Sequence, residues 1–237
     1  MMEVCETPEA MARRAAEVVE RAAREAVDAR GRFMLAISGG STPLMLFQIL
    51  GDDEWRARVP WARTEVFWAD ERCVPPTHTD SNYHHAERLL LGRVSPGAVH
   101  RIKGELPPAE AALEYERVLA ERFGGQGAPV FDLVLLGMGE DGHTASLFAG
   151  SAALAERARY AVDVTERAVA RVSLTLPALN AARSVVFMAS GDSKAVPLAD
   201  ILLRGNPGAL PAGMVRQAGG GEPLWIVDHR AARLLKV

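Results

Sequence analysis

His143 is the side chain in this sequence best placed to move a proton. It lies in the run Gly137-Met-Gly-Glu-Asp-Gly-His143, two positions after Asp141 and directly after the apolar stretch Phe131 to Leu136. An imidazole can gain or lose its proton near neutral pH, which suits general acid/base chemistry. A carboxylate two residues away can orient the ring and stabilise its charged form. Gly137, Gly139 and Gly142 let the backbone turn sharply there and let a ligand come close. The plainer alternative is a loop histidine that only satisfies a backbone carbonyl.

Two further stretches read as anion sites. Ser38-Gly39-Gly40-Ser41-Thr42-Pro43 follows a short apolar run and opens a helix, with Ser41 or Thr42 as the expected cap. Strand, glycine turn and helix start together point free N–H groups and the positive end of the helix dipole at a ligand. It is not a Walker loop, since the lysine and the spacing are missing. Gly191-Asp-Ser-Lys194 repeats the arrangement with a lysine, in a chain whose only lysines are Lys103, Lys194 and Lys236. A lysine at a helix start opposes the dipole, and a bound phosphate would account for it. The phosphate site is therefore expected at two helix N-termini, those after Gly40 and Gly191. Asp70-Glu71-Arg72 adds charges at the end of another apolar run, with Glu71 expected to hold arginines in place.

The elements that must position these residues follow from periodicity and punctuation. Thr7-Pro8 starts a helix whose apolar face is Met11, Ala15, Val18, Val19, Ala22 and Ala26, ending at Gly31. Strands are expected over 32–38, 64–69, 131–136, 161–165, 171–174, 185–189 and 224–227, with a shorter one over 99–102. Helices are expected from Ser41 or Thr42 to about Leu50, from Asp80 or Ser81 to Leu90, and over 107–123. Others start at Pro177 and run from Gly191 to about Leu203, and a short basic helix closes the chain. Between 73 and 82 lies a long polar loop containing Pro75-Pro76. Strands alternate with helices and no linker intervenes. The reading is one α/β domain, residues 1–237, with a mostly parallel, Rossmann-like sheet flanked by helices; ligands in such sheets bind outside the carboxyl ends of the strands.

Composition narrows the function. Hydrophobic residues make up 49% and charged residues 24%, as in an ordinary globular protein. Net charge is −3, so no nucleic-acid or membrane partner is expected and any anion must be held by a local cluster. Cys5 and Cys73 form no disulfide framework, and the N-terminus is acidic without an apolar region, so a cytoplasmic location is expected. A monomer or small homo-oligomer is expected.

Four motifs in order resemble one family. Ser38-Gly-Gly-Ser-Thr-Pro43, Trp68-Ala-Asp-Glu-Arg72, Gly137-Met-Gly-Glu-Asp-Gly-His-Thr-Ala-Ser146 and Arg171-Val-Ser-Leu-Thr175 are similar to the 6-phosphogluconolactonases. Asp80-Ser-Asn-Tyr83 and Gly191-Asp-Ser-Lys194 fit the same pattern. The resemblance implies hydrolysis of 6-phospho-D-glucono-1,5-lactone to 6-phosphogluconate in the pentose phosphate pathway, with no cofactor and no required metal. It implies a fold like that of glucosamine-6-phosphate deaminase and ribose-5-phosphate isomerase. With that substrate, His143 and Asp141 become the catalytic pair. Gly39, Gly40, Ser41, Thr42, Asp70, Arg72, Arg171 and Lys194 become the binding residues; which of Arg72 and Arg171 faces which end of the substrate stays open.

Rival readings are weaker on the same residues. Amino-sugar phosphate deaminases typically show Asp-Glu-Tyr where Asp70-Glu71-Arg72 stands, and Gly-His-Ile-Ala-Phe-Asn where Gly142-His-Thr-Ala-Ser-Leu147 stands. A non-catalytic sugar-phosphate sensor would not need Asp141 beside His143. A Cys73–His143 thiol hydrolase would require Arg72 to lower the thiol pKa. No Gly-x-Ser-x-Gly occurs for a serine hydrolase. His78, Asp80, His84 and His85 lack the spacing of a metal motif, and a solvated loop explains them.

Overall fold

A computed structural model describes residues 1–203 and 210–235. The described residues form ten strands, mostly alternating with helices. The strands are β1 (Met2–Cys5), β2 (Phe33–Ile37), β3 (Thr64–Trp68), β4 (Asp70–Arg72), β5 (Ala98–His100), β6 (Leu133–Gly137), β7 (Ala161–Val164), β8 (Arg171–Leu174), β9 (Val185–Ala189) and β10 (Leu224–Asp228). The helices are α1 (Pro8–Arg30), α2 (Ser41–Gly51), α3 (Asp53–Arg56), α4 (Asn82–Ala86), α5 (Pro108–Phe123), α6 (Ala152–Ala155), α7 (Leu176–Asn180), α8 (Ala195–Leu203) and α9 (His229–Ala232).

Seven strands form one all-parallel sheet in the order β1-β10-β9-β6-β2-β3-β5. β2, β3 and β9 are buried at every position, as expected of strands covered on both faces. α1 shows why the flanking helices form. Thr7 Oγ1 accepts from Ala10 N at 3.1 Å, Pro8 occupies the first turn, and Gly31 ends the helix in the left-handed region. Its buried face, including Met11, Ala15, Val18 and Val19, packs on α2, β10 and β2. Each large apolar side chain so buried stabilises the fold by about 1.5–3 kcal/mol.

Two features were not expected. β1 pairs in parallel with β10 at the sheet's edge, where the sequence pattern signals no strand. Asp70–Arg72 is not merely the charged end of a strand: β4 joins an antiparallel sheet of order β4-β8-β7. The chain passes from one sheet to the other at Trp68 and Ala69. Ala69 N still donates to Ile37 O at 2.8 Å, while Ala69 O already accepts from Leu174 N. The Tyr115 hydroxyl takes up the backbone of Trp68, accepting from its N–H at 2.9 Å and donating to its carbonyl at 2.8 Å. That carries Asp70 and Arg72 over the carboxyl edge of the parallel sheet.

Smaller corrections have local causes. The N-cap of α2 is Gly40, and neither Ser41 nor Thr42 makes a side-chain cap bond. Ser81 caps α4 by accepting from His84 N, and the helix continues as a π-helical turn over Glu87–Leu91. The helix after Gly191 begins with a 3-10 turn, Asp192–Lys194. The central strand starts at Leu133 and not at Phe131, which is buried just before it.

Tyr115→Phe is expected to lower unfolding stability by about 1–3 kcal/mol, because two buried backbone groups of Trp68 lose their partner. Urea unfolding followed by tryptophan fluorescence checks this; an unchanged midpoint would mean that the Trp68 backbone is held in another way.

Candidate active site

β9, β6 and β2 are consecutive in the sheet, so the turns that follow them converge at one edge. A cleft there is lined by Gly39, Gly40, Ser41 and Thr42 after β2, by His143 after β6, and by Lys194 after β9. The small sheet supplies Asp70, Arg72 and Arg171 to the same cleft. Of the ten residues expected at the site, nine line it. The tenth, Asp141, stands behind His143.

The geometry of that pair is specific. Asp141 Oδ1 lies 2.5 Å from His143 Nδ1 and also accepts from the His143 N–H at 3.2 Å. A carboxylate only accepts, so Nδ1 carries the proton and Nε2 is the nitrogen left with a free lone pair. Partial burial raises the Asp141 pKa, but the two bonds and the field of His143 outweigh it and hold the carboxyl below its usual range. Asp141 therefore stays ionised through neutral pH. The contribution of this charge is lost only as pH falls through that lowered value. The imidazole also packs on Phe148, with ring centroids 4.4 Å apart. Both groups lie against Gly139: a Cβ built there would fall 2.0 Å from His143 Nδ1 and 2.7 Å from Asp141 Oδ1.

The cations are the second component. No carboxylate is paired with Arg72, Arg171 or Lys194 among the described residues, although arginines elsewhere are paired, as in Arg122–Glu65 and Arg14–Glu3. Arg72 donates to Asp80 O at 2.8 Å, and Arg171 makes a long 3.4 Å contact to Ser146 Oγ. The Nε atoms of both are buried without a partner. Burial pushes the Arg171 pKa below the usual arginine value.

Gly40 and Gly191 end the two flanking turns in nearly the same conformation, φ 102°, ψ 169° and φ 92°, ψ 161°. Only glycine populates that region readily. The two turns are nevertheless not equivalent. Gly191 N donates to both oxygens of Asp228, and Asp192 is paired with Arg230 and Arg233. The turn after β9 thus brings Lys194 to the cleft, while its Gly191 amide is taken up by Asp228.

Glu71 does not hold arginine side chains. Its buried carboxylate accepts from Arg72 N, Ser81 Oγ, Asn82 N and Tyr83 N, clipping the start of α4 to β4. Burial raises its pKa, against those backbone bonds. The clip places Asn82, which sequence reasoning missed as a site residue. Asn82 is 2% exposed, donates to Asp70 O at 2.8 Å, and approaches Gly39 so closely that a Cβ there would overlap its side chain. Ser38, Met138, Thr144 and Ala145 also line the cleft unforeseen, and Ser146 lies just beneath it. A signal was present, since Asn82 and Ser146 both lie inside motifs already singled out. Cys73 is not at the cleft, and burial with the fields of Glu71 and Asp163 pushes its thiol up to about 11, which removes the thiol-hydrolase reading.

A cation-lined cleft with an oriented imidazole can hold an anion and transfer a proton within it. The fold is that of an α/β protein with a cation-lined cleft at the carboxyl edge of its parallel sheet. The family described as glucosamine-6-phosphate isomerases/6-phosphogluconolactonase matches residues 6–225, and the chain belongs to it. A human relative named 6-phosphogluconolactonase is 42% identical over 93% of this chain and 87% of its own length. The crystal structure of a 6-phosphogluconolactonase from Thermotoga maritima superposes with a TM-score of 0.83 at 28% identity, covering 96% of this chain and 99% of that one. A monomeric glucosamine-6-phosphate deaminase shares the fold, with a TM-score of 0.81 at 16% identity over 98% of this chain and 99% of that one. No helix among the described residues is long and apolar enough to cross a membrane.

Gly139→Ala is expected to lower kcat at least ~10²-fold by displacing the His143–Asp141 pair. Steady-state kinetics beside circular dichroism checks this. A folded variant with wild-type kcat would show that the pair need not hold its position.

Proposed function

We propose that this chain hydrolyses 6-phospho-D-glucono-1,5-lactone to 6-phospho-D-gluconate in the oxidative pentose phosphate pathway, in the cytoplasm. The observation that carries the reading is the Asp141–His143 pair in a cleft with three cations that, among the described residues, form no ion pair with a carboxylate. The substrate is a cyclic ester with a dianionic phosphate, and it needs both parts.

His143 Nε2 takes a proton from a water as its oxygen attacks C1. Asp141 holds the ring in the required tautomer and stabilises the imidazolium that forms. Arg72 and Arg171 provide further positive charge, on the phosphate or on the carboxylate product. As the C1–O5 bond breaks, the imidazolium returns its proton to the ring oxygen, and the product carboxylic acid ionises in water. The phosphate rests on the Gly39–Thr42 turn and Lys194. Asp70 and Asn82 border the same space.

The deaminase alternative is not favoured, since Arg72 stands where those enzymes typically carry tyrosine. Lactone hydrolysis assayed beside glucosamine-6-phosphate turnover tests the reading. Strong lactone hydrolysis, net of the spontaneous rate, with no amino-sugar turnover is expected; the reverse would contradict it. In Asp141→Asn the ascending limb of kcat/KM against pH is expected to move to lower pH, because loss of the adjacent negative charge disfavours the imidazolium. A limb that stays in place would mean that Asp141 does not act on the ionisation of the base.

A further inference from the structure

Ser146 is fully buried, lies between the catalytic turn and the small sheet, and has no part in the mechanism above. Its hydroxyl donates to Asp70 Oδ2 at 2.7 Å and is approached by Arg171 Nη1 at 3.4 Å. Its backbone N–H is anchored separately, donating to Ser173 Oγ at 3.1 Å. Ala145, just before it, takes φ 48°, the one non-glycine residue with positive φ among the described residues. A residue held in that region is over-determined by its surroundings. The turn is therefore built to deliver the Ser146 side chain inward.

What it is delivered between matters. Asp70 is 5% exposed and has a second donor, Asn82 Nδ2, at 3.4 Å. Arg171 is half-buried and feels the Asp70 charge, yet no direct Arg171–Asp70 ion pair forms. Carboxylate and guanidinium instead touch the same hydroxyl oxygen. A direct contact would satisfy both groups and would also neutralise the cation.

We propose that Ser146 is a positioning residue whose hydroxyl, held by Asp70, keeps Arg171 from closing onto that carboxylate and so leaves the guanidinium available to the anionic substrate. Asp70 then acts at one remove, stabilising the charge of Arg171 without consuming it. This rests on reading the cleft as a phospholactone site, and wild-type turnover tests that reading separately.

The test is Ser146→Ala, alone and in the Asp70→Asn background, with KM and kcat for 6-phosphogluconolactone and the affinity for 6-phosphogluconate by calorimetry. Ser146→Gly removes the same hydroxyl and serves if the alanine variant does not fold. In the native background, KM and the product dissociation constant are expected to rise about tenfold or more while kcat changes less. In the Asp70→Asn background the same substitution is expected to change KM by less than about threefold, because no carboxylate remains to capture Arg171. Wild-type activity with an unchanged KM in the serine variants would overturn the inference. So would an equal loss in both backgrounds, which is the signature of a merely structural serine.

Discussion

Arg72 and Arg171 are direct partners in the antiparallel register of β4 and β8. Like charges facing each other across a strand pair repel, and here no carboxylate pairs with either one among the described residues. The molecule as a whole carries net charge −3, so this concentration of positive charge is local and maintained against the overall balance. Lys194 adds a third cation to the lining of the same cleft. An anionic ligand would relieve the repulsion. The carboxylates closest to them are otherwise engaged: Glu71 by three backbone amides and a hydroxyl, Asp70 by Ser146 and Asn82.

The Asp141–His143 pair depends on a different constraint, the level at which three parallel strands end. β9, β6 and β2 lie side by side, so one turn presents His143 while its neighbours present Lys194 and the Gly39–Thr42 backbone. The chain then switches sheets at Trp68, pinned by Tyr115, to bring the arginines over the same edge. The imidazole and the arginines thus come from two sheets that meet at one place.

Much of this was legible in the sequence because glycine turns and apolar runs report local geometry directly. The runs ending before Ser38, Gly137 and Ser190 became β2, β6 and β9, and the Asp141–His143 spacing became a hydrogen-bonded pair. The parts that were missed are those decided by distant partners. β1 is four residues of no clear alternation and becomes a strand only because β10 offers its edge. Asp70-Glu71-Arg72 looks like a polar strand end, since nothing local says that its carboxylates will be buried by Ser81, Asn82 and Ser146. Ser41 and Thr42 have cap-type side chains, but Gly40 takes the cap position because it alone tolerates φ 102° there. Nothing local shows that the Gly191 amide is taken up by Asp228, which lies 37 residues further on.

The central claim is that His143, oriented by Asp141, is the base that activates water in a cleft charged to hold the substrate. The most direct test is the net rate of 6-phosphogluconolactone hydrolysis by His143→Ala, with the spontaneous rate subtracted at each pH. A correctly folded variant is expected to lose ~10²–10⁴-fold in kcat and to lose the ascending limb of the pH profile. A folded His143→Ala enzyme with a near-wild-type net rate would contradict the account.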